Sequence, residues 1–492
     1  MAGSNVTALF RASTAHSPSY FTLNRAGGGA AGEITDFCIP CNPYFPTPAM
    51  FDQLGRSLRE ILTYYPSSAD TITAELCQVL GLNPQTVAMG NGSTELITWI
   101  DHLLVRESLA VPVPTFGRWT DQPMETGKRV DMLLLPEAHG FGLDPASFVQ
   151  FVRSRGSRTA VICNPNNPDG GLLPKQQVIA LLDSLQDLDL VVVDESFLEF
   201  ADAEQEASVA AEAVMRTNVI VLRSLGKNFG LHGVRFGYLV SNPTLAGKIR
   251  SALPKWNLNS FAETVVFMLK EHRQEYAESL HQARRDRQEM TMRLSQLPGL
   301  TVYPSQGNFL YVRLPEGVDG TVLRDRLLAE HGVLVRECSN KVGSSSRFMR
   351  LVVRPQQDQM RLMSAMEQVL YGRAPVPEPR PEPLAPMLAQ TPEPQPQPQL
   401  RAQVQQPGPM PMLALAQEPV SARGLGPVPS AERPAASALT GVPAGGMAGG
   451  MAGGMAGGMV GSAGGGMVGA ARAAVGGYTS GTAAVDRLIA GA

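Results

Sequence analysis

Residues 224–238 read SLGKNFGLHGVRFGY, and the lysine inside them is the first group in this chain with evident chemistry. Lys227 lies between two short apolar runs, 219–222 and 236–240, flanked by glycine and aromatic residues, with Arg235 eight residues on. A lysine withdrawn from water has a lowered pKa and becomes a competent amine nucleophile. A guanidinium close by can hold a phosphate dianion with its planar fork. The plain alternative is a solvated surface lysine. Asp194 closes another apolar run, in VVVDESF, where a carboxylate could cap a helix or face a ligand. Residues 164–170, NPNNPDG, have the composition of a tight turn. GNGSTE at 90–95 precedes an amphipathic run over 96–105 and reads as a helix start, whose free N–H groups and dipole attract phosphate.

These groups need a frame that gathers them. The apolar runs 160–163, 190–193, 219–222 and 236–240 are rich in Val, Ile and Leu with little alternation, as expected of strands in a parallel sheet covered on both faces. A helical pattern over 175–188 lies between the first two, which implies a right-handed crossover and an α/β sheet. Ligands of such sheets collect at the carboxyl ends of the strands, where 164–170, Asp194 and Lys227 all fall. A long charged helical stretch, 261–297, precedes a second set of strands at 300–303, 308–312, 333–336 and 347–353. The division expected is an N-terminal segment, 1–45, packed on the smaller domain; a large domain, 46–260; a small α+β domain, 261–372; and a tail, 373–492. The tail is Pro- and Gln-rich, then carries four AGGM units over 444–459, and such a composition predicts disorder. It reads as an inert extension or as a Met-rich interaction segment.

Taken together, the motifs resemble class I and II aminotransferases, the pyridoxal 5'-phosphate (PLP) enzymes of fold type I. The resemblance covers roughly residues 36–371 and is nearest to the branch of histidinol-phosphate aminotransferases and threonine-phosphate decarboxylases. It implies a large domain with a mostly parallel central sheet, a smaller α+β domain and PLP as cofactor. By this resemblance Lys227 carries PLP as a Schiff base. Arg235, Ser224, Ser93 and Thr94 hold its phosphate, and Phe116 stacks on its ring. Asn167 bonds the phenolic oxygen. Asp194 pairs with the ring nitrogen, which keeps the ring an electron sink. Arg350 grips the substrate α-carboxylate, Arg336 is a second anion contact or a surface ion pair, and Asn42 lies on the substrate side. Tyr65 serves the cofactor phosphate of a second copy, so a homodimer is implied.

The chain departs from the family pattern at four places. Gly226 replaces a hydroxyl residue before the lysine, Phe197 replaces a tyrosine near the ring oxygen, and Asp169 replaces a threonine. The His-Gly-Gly element of the phosphate decarboxylases is absent from residues 1–35, which offer only three glycines at 27–29 and a distant His16.

The 492 residues carry a formal charge of −3, which gives no bulk electrostatic case for nucleic acid or for an anionic membrane. No signal peptide or membrane span is expected. Five scattered cysteines suit a reducing cytoplasm. Cys38 and Cys41 form a lone C-x-x-C with no second pair or nearby histidine, so no metal site is expected. Three functional readings follow. The first is an aminotransferase moving an amino group between an amino acid and a 2-oxo acid. The second is a decarboxylase of a phosphorylated amino acid, and the third is a non-catalytic protein of the same fold.

Overall fold

The computed structural model describes residues 20–26, 34–202 and 207–372. The expectations for the tail and for the glycines at 27–29 lie outside these residues.

Thirteen strands are described. In chain order they are β1 Thr35–Asp36, β2 Val87–Gly90, β3 Ser108–Val113, β4 Arg129–Leu134, β5 Thr159–Cys163, β6 Leu190–Asp194, β7 Val219–Arg223, β8 Gly237–Val240, β9 Thr301–Val302, β10 Phe309–Arg313, β11 Val333–Leu334, β12 Arg336–Glu337 and β13 Phe348–Val352. Seven of them form one sheet in the order β2-β8-β7-β6-β5-β3-β4. The pairs from β4 across to β7 are parallel, whereas β8 runs antiparallel to both β7 and β2. The run at 236–240 was expected to be parallel and is corrected here: β7 returns as β8 with no helical crossover, only the short stretch that carries the lysine motif.

Alternate residues of the central strands enter opposite cores. Val191, Val193, Val219 and Val221 join one cluster, with Ile72 and Leu76 of helix Ala69–Leu80 and Leu181 of helix Lys175–Ser184. Leu190, Val192, Ile220 and Leu222 join the other, with Ile97 and Ile100 of helix Ser93–Leu103. Both faces are therefore buried, which is why these strands read as unbroken apolar runs.

A smaller antiparallel sheet, β12-β13-β10-β9, packs on helices Arg273–Ser295 and Gln356–Tyr371 through Leu310, Val312, Met349, Leu351, Leu294 and Leu362. β1 pairs in parallel with β11, so the N-terminal segment is sewn to the strand that leads into this sheet. Among the described residues no helix is long and apolar enough to cross a membrane.

Candidate active site

The helix Ser93–Leu103 starts after Gly92, whose φ is +80°, and no side chain caps it. The first N–H groups of a helix lack intrahelical partners and make a ready anion site. A Cβ at Gly92 would stand 2.7 Å from Nη2 of Arg235, so glycine alone lets that guanidinium lie over the helix start. Arg235 itself has φ +59°, strained for a non-glycine residue. Gly237 repeats the device, since its Cβ would meet the Ser93 nitrogen at 2.8 Å. Gly92→Ala is therefore expected to weaken cofactor binding at least about tenfold, because the strained backbone and the displaced guanidinium together cost roughly 1–3 kcal/mol. Equilibrium dialysis against PLP measures this directly.

Ser93, Thr94, Phe116, Asn167, Ser224, Lys227, Arg235, Arg336 and Arg350 all line one cavity of about 500 Å³ at the carboxyl ends of the parallel strands. Lys227 occupies a one-turn helix, Leu225–Asn228, after β7. Its Nζ lies 4.2 Å from the Phe197 ring centroid and 5.4 Å from that of Phe116. Enclosure by protein lowers its pKa, and the negative charge of Asp194 offsets part of that effect. Phe197, the departure from tyrosine, thus supplies an apolar face to the amine.

Asp194 ends β6 and is buried; it is not among the residues lining the cavity, but its charge acts on Lys227. Its Oδ2 accepts from Nε1 of Trp119 at 2.9 Å, and its Oδ1 accepts from the Ser196 nitrogen at 3.0 Å. Asp169 does not face the cavity. It braces its own loop by accepting from the Gly171 nitrogen at 2.7 Å and from Asn166, and burial raises its carboxyl to about 6. At Gly226 a Cβ would sit 3.2 Å from the Leu231 carbonyl oxygen and 3.5 Å from the His232 Cα. A larger residue there is crowded, and His232 lines the cavity beside it.

The far end is cationic. Arg350 on β13 donates through Nη1 to Asn167 Oδ1 at 2.8 Å and through Nη2 to the Cys38 carbonyl at 2.5 Å, while its buried Nε has no partner. Arg336 is the direct register partner of Arg350 across the β12–β13 pair. Lys341 adds a third cation. Its Nζ donates to the Thr115 carbonyl at 2.6 Å, and its pKa falls to about 8 through desolvation first and then through Arg350 and Arg336. Among the described residues, neither Lys341 nor Arg350 has a carboxylate within ion-pair distance.

Besides Asp194, two expected residues do not line this cavity. Asn42 is buried elsewhere, and its Nδ2 donates to the Asn228 carbonyl at 3.1 Å and to Ser279 Oγ at 2.8 Å. Its backbone nitrogen donates to the Lys227 carbonyl at 2.9 Å. The substrate-side expectation is corrected to a brace for the turn that carries the lysine. Tyr65 is 87% exposed, its ring tilted against that of Trp256 with centroids 5.7 Å apart.

The donor set fits PLP: a helix start with Arg235 for a phosphate, an aromatic for a ring, a buried carboxylate, and an enclosed amine. Comparison with known proteins agrees. The family model for class I and II aminotransferases matches residues 33–368. The CMP-5'-(3-aminopropyl)phosphonate synthase of Streptomyces rubellomurinus is 31% identical over 69% of this chain, and the chain spans about half of it, 53%. The L-serine phosphate decarboxylase Cj1436c of Campylobacter jejuni is 29% identical over 70% of this chain and 91% of its own length. The solved structure of a decarboxylase from Sulfurospirillum multivorans superposes with a TM-score of 0.67 at 27% identity, covering 76% of this chain and 98% of that one.

Proposed function

This chain belongs to the class I and II aminotransferase family, whose cofactor is PLP, and from that premise we propose that it decarboxylates an α-amino acid with a phosphate or phosphonate on its side chain. The observation that carries this reading is the Arg336–Arg350 register pair with Lys341 beside it. Three cations are more than one carboxylate needs, and charge-assisted forks match the oxygens of a dianion. Relatives named for a serine phosphate and for a phosphonate support the same substrate class.

When bound, PLP supplies an electron sink for the pair left on Cα after one of its bonds breaks. This chain's residues decide which bond that is. Arg336, Arg350 and Lys341 draw the side-chain phosphate to one end of the cavity and leave the α-carboxylate away from the guanidinium groups. A carboxylate held by arginine is stabilised in the ground state and resists leaving as neutral carbon dioxide, whereas a carboxylate directed away from those charges does not. Asn167 and Phe116 fix the plane against which the substrate lies. The bond from Cα to the carboxyl carbon breaks, its electron pair stays on Cα, and Lys227 Nζ delivers the replacing proton. The product is an amine that keeps its phosphate.

Transamination is the second reading, favoured by the Arg350 Nη1 contact with Asn167 Oδ1, which sets one guanidinium beside the ring-side asparagine as a carboxylate grip would require. Incubation with carboxyl-labelled O-phosphoserine and O-phosphothreonine separates the two. Labelled carbon dioxide with an amine product is expected. Keto-acid formation with a 2-oxo acid acceptor, and no label release, establishes transamination instead. The non-catalytic reading is disfavoured by the gathering of Lys227, Asn167, Arg235 and Arg350 in one cavity. A homodimer in the cytoplasm belongs to the same proposal. It is supported by the exposed Tyr65 and Trp256 and by five free cysteines.

A further inference from the structure

We propose that the indole N–H of Trp119 is the positioning group for Asp194 and fixes the plane in which that carboxylate meets the cofactor ring. Trp119 is 1% exposed and packs in the core cluster on the side of the sheet that holds helix Ser93–Leu103. It is the second residue of helix Arg118–Glu125, which starts two residues after Phe116. The aromatic that lines the cavity and the donor that reaches Asp194 are therefore only three residues apart, just before and just inside the helix start.

A carboxylate at a strand end can rotate about its terminal torsion. Here the rotation is stopped from both sides, because Trp119 Nε1 donates to Oδ2 at 2.9 Å and the Ser196 nitrogen donates to Oδ1 at 3.0 Å. The Ser196 contact comes from a backbone two residues along the same chain segment. The Trp119 contact is 75 residues distant in sequence and ties β6 to the helix under Phe116. Indole is a donor only and does not titrate, so the hold is independent of pH. The inference rests on Asp194 facing the ring nitrogen, as the family reading has it.

The test replaces Trp119 with Phe and, separately, with the isostere 3-benzothienylalanine, which keeps the ring shape but lacks the N–H. Asp194→Asn is run alongside. Equilibrium dialysis gives the PLP dissociation constant, visible spectroscopy follows the pH titration of the bound cofactor, and thermal melting reports the fold. The isostere is expected to melt near the unsubstituted protein, to bind PLP at least about tenfold more weakly, as outer partners of ligand-holding groups do, and to shift the spectral titration. Unchanged affinity and titration in the isostere, with both altered in Asp194→Asn, would overturn the role of Trp119 and leave Asp194 in place. Unchanged readouts in Asp194→Asn would overturn the inference together with the assignment of Asp194.

Discussion

Lys227→Ala loses covalent attachment of PLP and turns over at least about 10⁴-fold more slowly, the scale on which removing a nucleophile that also moves a proton acts. The expectation comes from position. Nζ lies 4.2 Å from the Phe197 ring centroid and 5.4 Å from that of Phe116, and enclosure lowers its pKa while the charge of Asp194 offsets part of that effect. A lysine lowered by burial costs stability while charged, below its unfolded pKa, and that cost is relieved as pH rises. The alanine variant should therefore melt no lower than the parent at neutral pH, which separates lost chemistry from lost fold. Borohydride reduction followed by mass spectrometry reads the attachment point. Cofactor mass on a peptide without residue 227, or native turnover in the variant, would remove the centre of the site.

The second large effect lies at Lys341. Lys341→Met is expected to raise KM for a phosphorylated substrate by roughly 10–100-fold, the range of a hydrogen bond to a charged group, with a smaller change in kcat. The pH dependence has a definite sign. Lys341 is charged below about 8 and neutral above it, while a phosphate monoester is fully ionised only above about pH 6. The product of the two charges peaks between those values, so kcat/KM for the phosphorylated substrate should fall as pH climbs through 8. Arginine stays charged throughout, so Lys341→Arg should remove that alkaline limb while Lys227 continues to titrate as before. An alkaline limb that survives in Lys341→Arg assigns it to another group and takes Lys341 out of the anion seat.

The parts of this molecule legible in its sequence are those whose physics is local. β5, β6 and β7 read as apolar runs because both faces of each are covered, and the lysine turn and the helix start at Gly92 carry their chemistry within a few consecutive residues. β3 and β4 escaped notice because Pro112 interrupts one and the other is an edge strand with polar and exposed positions, Leu134 at 64% among them. β8 was assigned the wrong direction because an apolar run carries no sign of its orientation. Lys341 stands in a polar loop and reads as an ordinary solvated charge. Only the β12–β13 register and a reach of 226 residues to Thr115 bring it to the cavity. Trp119 was equally silent, since an indole near an aromatic reads as core. Asn42 went the other way, because a resemblance placed it at the substrate and its own hydrogen bonds turn it toward the scaffold.

Arg350 joins three stretches of chain that are far apart in order: its own strand, the Asn167 turn and the Cys38 carbonyl, the last 312 positions away. No fragment shorter than residues 38–350 contains the whole junction, so an anion settling there would clamp three distant stretches of the described region at once. Its binding energy is then felt as resistance to global unfolding rather than as stiffening of one lobe, by about 2.7 kcal/mol when the ligand is present at a hundred times its dissociation constant. On the proposed reading, a substrate seated at this junction would stabilise the protein against unfolding.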